Sequence, residues 1–359
     1  MRETDPGERP ASGAIVRRLR HAVGLLLGAA AALLLLATLL GLAGALWPDL
    51  DVVNHFRPYL LLAALLCLAA SRAAPPGRRS GLALVAAASL AVQAWFVVPV
   101  FLAGTGGRAA AAGGALTLVT ANLRYANRNM EPVVAFLRDA EPDLVFLQEV
   151  APASLEALQA GLADRYPYAR HCVTRRYCNL AILSRRPLRE AAASYLGWRR
   201  QEALPRPAGD GWQRVDAALP DDGRPAAALQ AWTELRGGAA LRLLNVHLSW
   251  PVPARVQRGQ FRWIARRVAE LPPGPAILAG DFNATPWSFG LADFEAGLPL
   301  RRASPGIFSF PTPGVFPLPL VAIDQVFLSE GLLARSVTRG PDVGSDHYPL
   351  IARLALPAE

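Results

Sequence analysis

Six places along this chain put carboxylate, carboxamide or imidazole groups at the ends of apolar runs: Asn122; Glu149; Asn245 with His247; Asp281 with Asn283; Asp324; and Asp346 with His347. No Ser or Cys nucleophile motif accompanies them. Oxygen donors with a few imidazoles suit a hard cation such as Mg²⁺ or Mn²⁺, and such an ion stabilises charge on a phosphoryl oxygen. The stretch AILAGDFNATPWS (276–288) is central. On an extended backbone Asp281 and Asn283 project to the same side. A carboxylate and an amide there can grip and align a water near a bound phosphate. The same spacing also fits an Asp-x-Asn turn that satisfies only its own backbone.

Residues so far apart in sequence meet only if strands carry them. LTLVTAN (116–122), DLVFLQE (143–149), NLAILS (179–184), RVDAAL (214–219), AALQAWTEL (227–235), LRLLNVHL (241–248), VAIDQVFLS (321–329) and LIARLAL (350–356) read as strands, with another entering Asp281. Pro132–Ala140, Ser154–Leu162 with Ser154 as cap, and the amphipathic Arg255–Leu271 read as helices. Long β stretches with helices between predict an α/β fold, two sheets packed as a sandwich with helices outside.

The chain has 359 residues, 52% of them hydrophobic, and the apolar excess lies in the first hundred. Uncharged runs at 22–46 and 81–102 are long enough to cross a hydrocarbon core of roughly 30 Å; a run at 57–71 is marginal. The expected organisation is a membrane domain over 1–103 with about three transmembrane helices, a flexible Gly/Ala linker over 104–114, and a folded domain over 115–359. Arg17, Arg18 and Arg20 precede the first span, and Arg72, Arg78 and Arg79 lie between the second and third. By the positive-inside rule three crossings put the folded domain outside the cytoplasm; two crossings would return it. A multi-pass protein of the cell membrane is the expected location, with the bilayer as its partner and no protein partner foreseen.

The formal charge of +9 comes from Arg alone, since no Lys occurs. A bias towards Ala, Arg, Gly and Pro accounts for that without a nucleic-acid role. The folded part is mildly basic, which permits an anionic phosphate-ester substrate. Cys172 and Cys178 in HCVTRRYC are close enough to close a disulfide, which fits an oxidising compartment. A metal pair and two free thiols are the alternatives. The Arg175–Arg176 and Arg199–Arg200 pairs read as solvated faces or phosphate contacts.

The ordered set TANLR, LQEV, NVHLS, GDFNATP, AIDQVF and SDHYPL resembles the endonuclease/exonuclease/phosphatase superfamily over essentially all of 115–359. The resemblance implies a four-layer sandwich and metal-dependent hydrolysis of a phosphodiester or phosphomonoester. It implies that Glu149 and Asn122 bind the metal with Asp346 beside it, and that Asp281 holds and deprotonates the attacking water, placed with the help of Asn283. It further implies that His347, held by Asp324, contacts the phosphate, that His247 lies near phosphate and leaving group with Asn245 in support, and that Asn245, Asn283 and His247 thereby bind substrate. Arg124 departs from the acidic residue common there in abasic-site endonucleases, which puts that branch in doubt. A catalytically silent binding or signalling module on the same fold is the alternative. IFSFPTPGVFPLPL (307–320) reads as a rigid packed loop or as an apolar lip towards lipid head groups; the substrate class, phospholipid or nucleic acid, stays open.

Overall fold

The computed structural model describes residues 11–103, 114–173, 178–195, 211–215, 227–235 and 237–356. The chain divides into two compact units between Pro99 and Val100. The first contains helices α1 (Ala11–Ala43), α2 (Arg57–Ala70) and all but the last residues of α3 (Pro76–Leu102). A 3₁₀ run over Pro48–Phe56 leads into α2, and another, Ser71–Ala73, follows it. Pro48 at the first turn and Asp49 and Asp51 just inside it favour a helical start there. Pro48–Ala73 thereby reaches 26 residues, against 26 in Arg18–Ala43 and 27 in Pro76–Leu102, and all three are long and apolar enough to cross a membrane. The marginal second run is therefore longer than its apolar residues suggest. The linker residues 104–113 and the Arg175–Arg176 and Arg199–Arg200 pairs lie outside the described residues.

The second unit holds β1 (Ala115–Asn122), β2 (Leu144–Gln148), β3 (Tyr168–His171), β4 (Ala181–Ser184), β5 (Leu188–Tyr195), β6 (Gly211–Arg214), β7 (Ala227–Glu234), β8 (Ala240–His247), β9 (Ala276–Asp281), β10 (Leu300–Arg302), β11 (Asp324–Ser329), β12 (Leu333–Arg339) and β13 (Leu350–Ala355). One sheet has the order β12-β13-β1-β2-β4-β3-β6 and the other β10-β11-β9-β8-β7-β5. Helices α4 (Glu131–Ala140) and α5 (Pro152–Leu162) pack on the first sheet, and α6 (Ala254–Ala269) and α7 (Phe289–Ala296) on the second. This is the two-sheet α/β sandwich that the sequence predicts.

Alternation explains the layers. Leu116 and Leu118, Leu144 and Phe146, Leu241 and Leu243, Ile277 and Ala279, and Val326 and Leu328 all point into one inter-sheet core. Their neighbours Val119, Val145 and Leu147 face α4 and α5, while Leu244, Val246, Leu278 and Phe327 face α6 and α7. Every residue of β2 and β9 is buried, as strands covered on both faces must be. Several elements were hidden in the sequence. β3, β5, β10 and β12 are short or carry edge polar residues, and α7 shows no amphipathic stripe. The strand predicted at RVDAAL lies earlier, at Gly211–Arg214, and 216–219 fall outside the described residues. α5 begins at Pro152 with Ala151 as its cap. Ser154 is not the cap: it lies inside the helix, with its hydroxyl turned to the Asn127 carbonyl at 3.4 Å.

Candidate active site

The inward-facing positions of five strands change character towards one end of the sandwich. β1 runs Leu116, Leu118, Thr120, Asn122; β2 runs Leu144, Phe146, Gln148; β8 runs Leu241, Leu243, Asn245, His247; β9 runs Ile277, Ala279, Asp281; and β11, read backwards, runs Leu328, Val326, Asp324. Pairing aligns these ends: Asn122 opposes Gln148 across β1 and β2, and Asp281 opposes both His247 and Asp324. The loop carrying Ser345, Asp346 and His347 joins them because β13 runs antiparallel to β1, with Leu350 opposite Thr120.

Two layers result. The deeper one is an amide network. The Gln148 amide donates to Thr120 Oγ1 at 3.1 Å and to Asn245 Oδ1 at 2.7 Å, and Asn245 Nδ2 donates to the Leu147 and Ala181 carbonyls, both at 2.9 Å. Asn245 is fully buried. Both its amide hydrogens are committed across the sheets, so the sequence assignment of Asn245 to substrate binding is corrected: it ties β8 to β2 and β4 beneath the site. Gln148, which carries this layer with it, went unnoticed. A lone amide in an otherwise apolar, buried strand was the signal available.

The outer layer is charged. Asp281 is 1% exposed. The Asn283 backbone N–H donates to its Oδ1 at 2.8 Å, and Asn122 Nδ2 donates to its Oδ2 at 3.0 Å. His247 Nε2 and His347 Nε2 each stand 3.7 Å from that Oδ2. His347 Nδ1 lies 2.9 Å from Asp324 Oδ2. Glu149 Oε2 accepts the Tyr125 N–H at 2.8 Å, while its Oε1 accepts from Asn122 at 3.2 Å and faces His247 Nε2 at 3.7 Å. Thus Asn122, Glu149, His247, Asp281, Asn283, Asp324 and His347 form one cluster. Asp346 stands at its rim, its carboxylate 3.6 Å from Arg124 Nε.

The backbone bends to make this possible. Gly280 has φ +147, and a Cβ there would lie 1.9 Å from the Val246 carbonyl oxygen, so the strand position before Asp281 requires glycine. Glu149 (φ +54) and Asn283 (φ +47) hold left-handed conformations that aim their side chains out of the strand series. Asn283 is held by Nδ2 donating to the Leu248 carbonyl at 2.8 Å, and Gln257 of α6 donates to the Asn283 carbonyl at 2.9 Å. Ser345 Oγ donates to the Asn122 carbonyl at 2.7 Å and accepts the His347 N–H at 3.2 Å, and Thr312 binds the Ser345 carbonyl at 2.6 Å.

Electrostatics follow from burial and neighbours. Burial alone would lower the His347 pKa, but Asp324 and Asp281 outweigh it and raise it to about 9. Burial raises the Asp281 carboxyl, opposed by His347. Burial also acts to raise Glu149, yet His247, the Tyr125 N–H and Asn122 together bring it below the usual range. The donor set fits a hard divalent cation: three carboxylates converge with only two imidazoles against them. Asp281, Asp324 and His347 bring ligand atoms within 4.8 Å of one another, but both ring nitrogens of His347 already face carboxylates. Glu149, partly open to the cleft, is the better oxygen ligand.

Away from the cluster, Cys172 and Cys178 are disulfide-bonded with Cα atoms 5.3 Å apart, in the inter-sheet core.

Residues 119–347 match the family model described as the endonuclease/exonuclease/phosphatase family. The chain belongs to that family. Among solved structures, a Bacteroides vulgatus endonuclease/exonuclease/phosphatase is 22% identical with a TM-score of 0.52, the match covering 68% of this chain and 99% of that one. Danio rerio TDP2, solved with a single-strand DNA product, is 19% identical with a TM-score of 0.51, covering 67% and 99%. A Bacteroides thetaiotaomicron family protein is 18% identical with a TM-score of 0.50, covering 67% and 97%. These likenesses show the endonuclease/exonuclease/phosphatase fold, whose members are generally hydrolytic on phosphoester bonds. No curated protein matches the chain.

Proposed function

We propose that the chain is a membrane-anchored, divalent-cation-dependent hydrolase of phosphodiesters. One observation carries this: Asp281 Oδ2 lies within 3.7 Å of Asn122, His247 and His347 together, so a single carboxylate oxygen faces the amide and both imidazoles of the site. Asp281, oriented by the Asn283 N–H, takes a proton from a water held beside the phosphorus. That water forms the new P–O bond in line with the ester P–O bond that breaks. His347, fixed by Asp324, meets the non-bridging oxygens with its N–H. His247, partly open to solvent, returns a proton to the departing ester oxygen. One Asn283 amide hydrogen, held only by a 3.5 Å contact to Asp281, is placed to bind phosphate. Glu149, supported by Asn122, would hold Mg²⁺ or Mn²⁺, which neutralises developing charge on the phosphoryl group. Asp346 adds its charge from the rim.

The three helices support a bilayer anchor, and the Arg distribution favours a catalytic unit outside the cytoplasm. Reporter fusions at residue 110 test that side; an active cytoplasmic reporter there contradicts it. For the chemistry, the full chain in detergent is assayed on bis-p-nitrophenyl phosphate with Mg²⁺ and with EDTA. Metal-dependent turnover that disappears in Asp281→Ala is expected. Absence of turnover would instead support a silent module on the same fold.

A further inference from the structure

Two loops beside the cluster carry no charged residue at all: LSWPVPA (248–254), directly after His247, and IFSFPTPGVFPLPLVAI (307–323), directly before Asp324. Their large apolar side chains point to water. Trp250 is 64% exposed, Val252 50%, Val315 52%, Phe316 44% and Leu318 66%. Exposed apolar residues scattered singly are ordinary, but a contiguous group marks a contact surface.

Contacts join the loops to each other and to the site. Trp250 meets Phe310 edge-on with ring centroids 6.4 Å apart, and Phe310 lies 4.8 Å from the His347 ring. Phe310 pairs with Val321, and Thr312 accepts the Val315 and Phe316 N–H groups at 2.9 and 3.0 Å, closing the turn that presents Val315, Phe316 and Leu318. The Thr312 N–H in turn donates to the Asp346 carbonyl at 2.9 Å. The proline-rich backbone leaves little freedom to lose on binding. Cationic groups border the lip: Arg124 faces Asp346, and Arg339 lies 4.5 Å over the Tyr348 ring, next in sequence to His347.

We infer that this lip seats on a lipid bilayer, and that the phosphodiester reaching the cluster belongs to a phospholipid head group. The substrate class rests on the phosphodiesterase reading above; the seating does not. Three features select the bilayer. The same chain carries three helices of membrane-spanning length, and residues 103–114 cannot extend further than about 40 Å, so a membrane is always within reach. Of the five exposed side chains, Val252, Val315 and Leu318 are aliphatic and offer no face for base stacking, and neither loop carries a basic residue beside Trp250 or Phe316, whereas a single-strand groove alternates aromatic and basic residues. An uncharged apolar lip with arginines at its border matches a surface that is apolar within and anionic at its head groups.

The test uses the full chain in phospholipid nanodiscs. A polarity-sensitive NBD probe is attached at Leu318→Cys in a Cys67→Ser background, with Glu156→Cys on the exposed face of α5 as the control position. Expected is a blue shift at 318 and none at 156. A water-like spectrum at 318 overturns the inference. So does a shift that appears only with added single-stranded DNA, or one that grows with protein concentration in detergent and so reports a second copy. In parallel, Trp250→Ser with Leu318→Ser should lower hydrolysis of nanodisc phospholipid about tenfold while leaving bis-p-nitrophenyl phosphate turnover unchanged. Equal losses on both, or on neither, count against the lip. A wild-type chain that fails on the soluble diester defeats the hydrolase reading alone, and the probe still decides the seating.

Discussion

The protein buries two polar clusters, and they are built on opposite rules. In the three-helix unit one hydrogen-bond chain crosses all three helices: Arg57 donates to Gln93 Oε1 at 3.1 Å, Gln93 to Thr38 Oγ1 at 3.2 Å, and Thr38 to the Leu34 carbonyl at 2.8 Å. Arg57 also lies 3.8 Å over the Phe96 ring, and Asn54 bonds the Gly41 carbonyl and Asp51. The hydrogen bonds of that chain run through neutral amide, hydroxyl and carbonyl acceptors, and no two like charges are brought together in it. In the candidate site, Glu149, Asp281 and Asp324 crowd together, and Asp324 raises the Asp281 carboxyl rather than relieving it. Asp281 and Asp324 are buried no more deeply than Arg57 and Gln93, so burial does not mark function. The surplus of like charge does, because a folded chain retains it only against a stability cost.

That difference can be broken most severely at Asp281. Asp281→Asn keeps the shape and removes the base, so kcat should fall about 10²–10⁴-fold. The same change removes repulsion with Asp324, so the melting temperature should hold or rise. Activity is read on the soluble diester and unfolding by near-UV circular dichroism. A variant that keeps its rate, or loses activity only through unfolding, would make this cluster another structural network.

The layer beneath should respond in the reverse sense. Asn245→Ala strands the Leu147 and Ala181 carbonyls and one Gln148 hydrogen, which costs about 1–3 kcal/mol of stability. The turnover of folded enzyme should change far less than in Asp281→Asn. This position also shows how far the sequence could be read. Asp281, Asn283, Asp324 and His347 were legible because each stands at or near the end of an apolar run within a distinctive string, GDFN, AIDQVF or SDH. Asn245 stood at the same kind of place, two residues before His247, yet strand register sets it one layer deeper. Side-chain depth along a strand is a tertiary property that depends on which sheet lies opposite. The two-sheet sandwich was legible from alternation; β10 and β12 were not, because edge strands need no apolar face of their own, and β3 was not, because it is only four residues long.

A smaller effect separates neutral burial from the paired imidazoles of the site. Burial, with Arg214 adding to it, lowers the His171 pKa to about 4, far from any carboxylate cluster. Its unfolded form takes up a proton below about pH 6.5, whereas the folded form resists until about 4. The stability it permits is therefore full above 6.5 and lost as pH falls towards 4. His171→Gln should flatten the drop in melting temperature between pH 6.5 and 4.5 relative to wild type. Parallel curves would show that His171 does not contribute.

The gentlest change belongs to the helices. Gln93→Leu removes the bridge between Arg57 and Thr38, and a hydrogen bond between membrane helices is worth about 0.6 kcal/mol on average. Thr38 keeps its bond to Leu34, and Arg57 keeps the Phe96 face, so the loss is shared rather than concentrated. The expected outcome is a small drop in resistance of the three-helix unit to denaturing detergent, with hydrolysis of the soluble diester unaltered. If kcat instead falls alongside, the two polar clusters are energetically coupled, and the hydrogen-bonded network in the helices is part of the catalytic device rather than only its anchor.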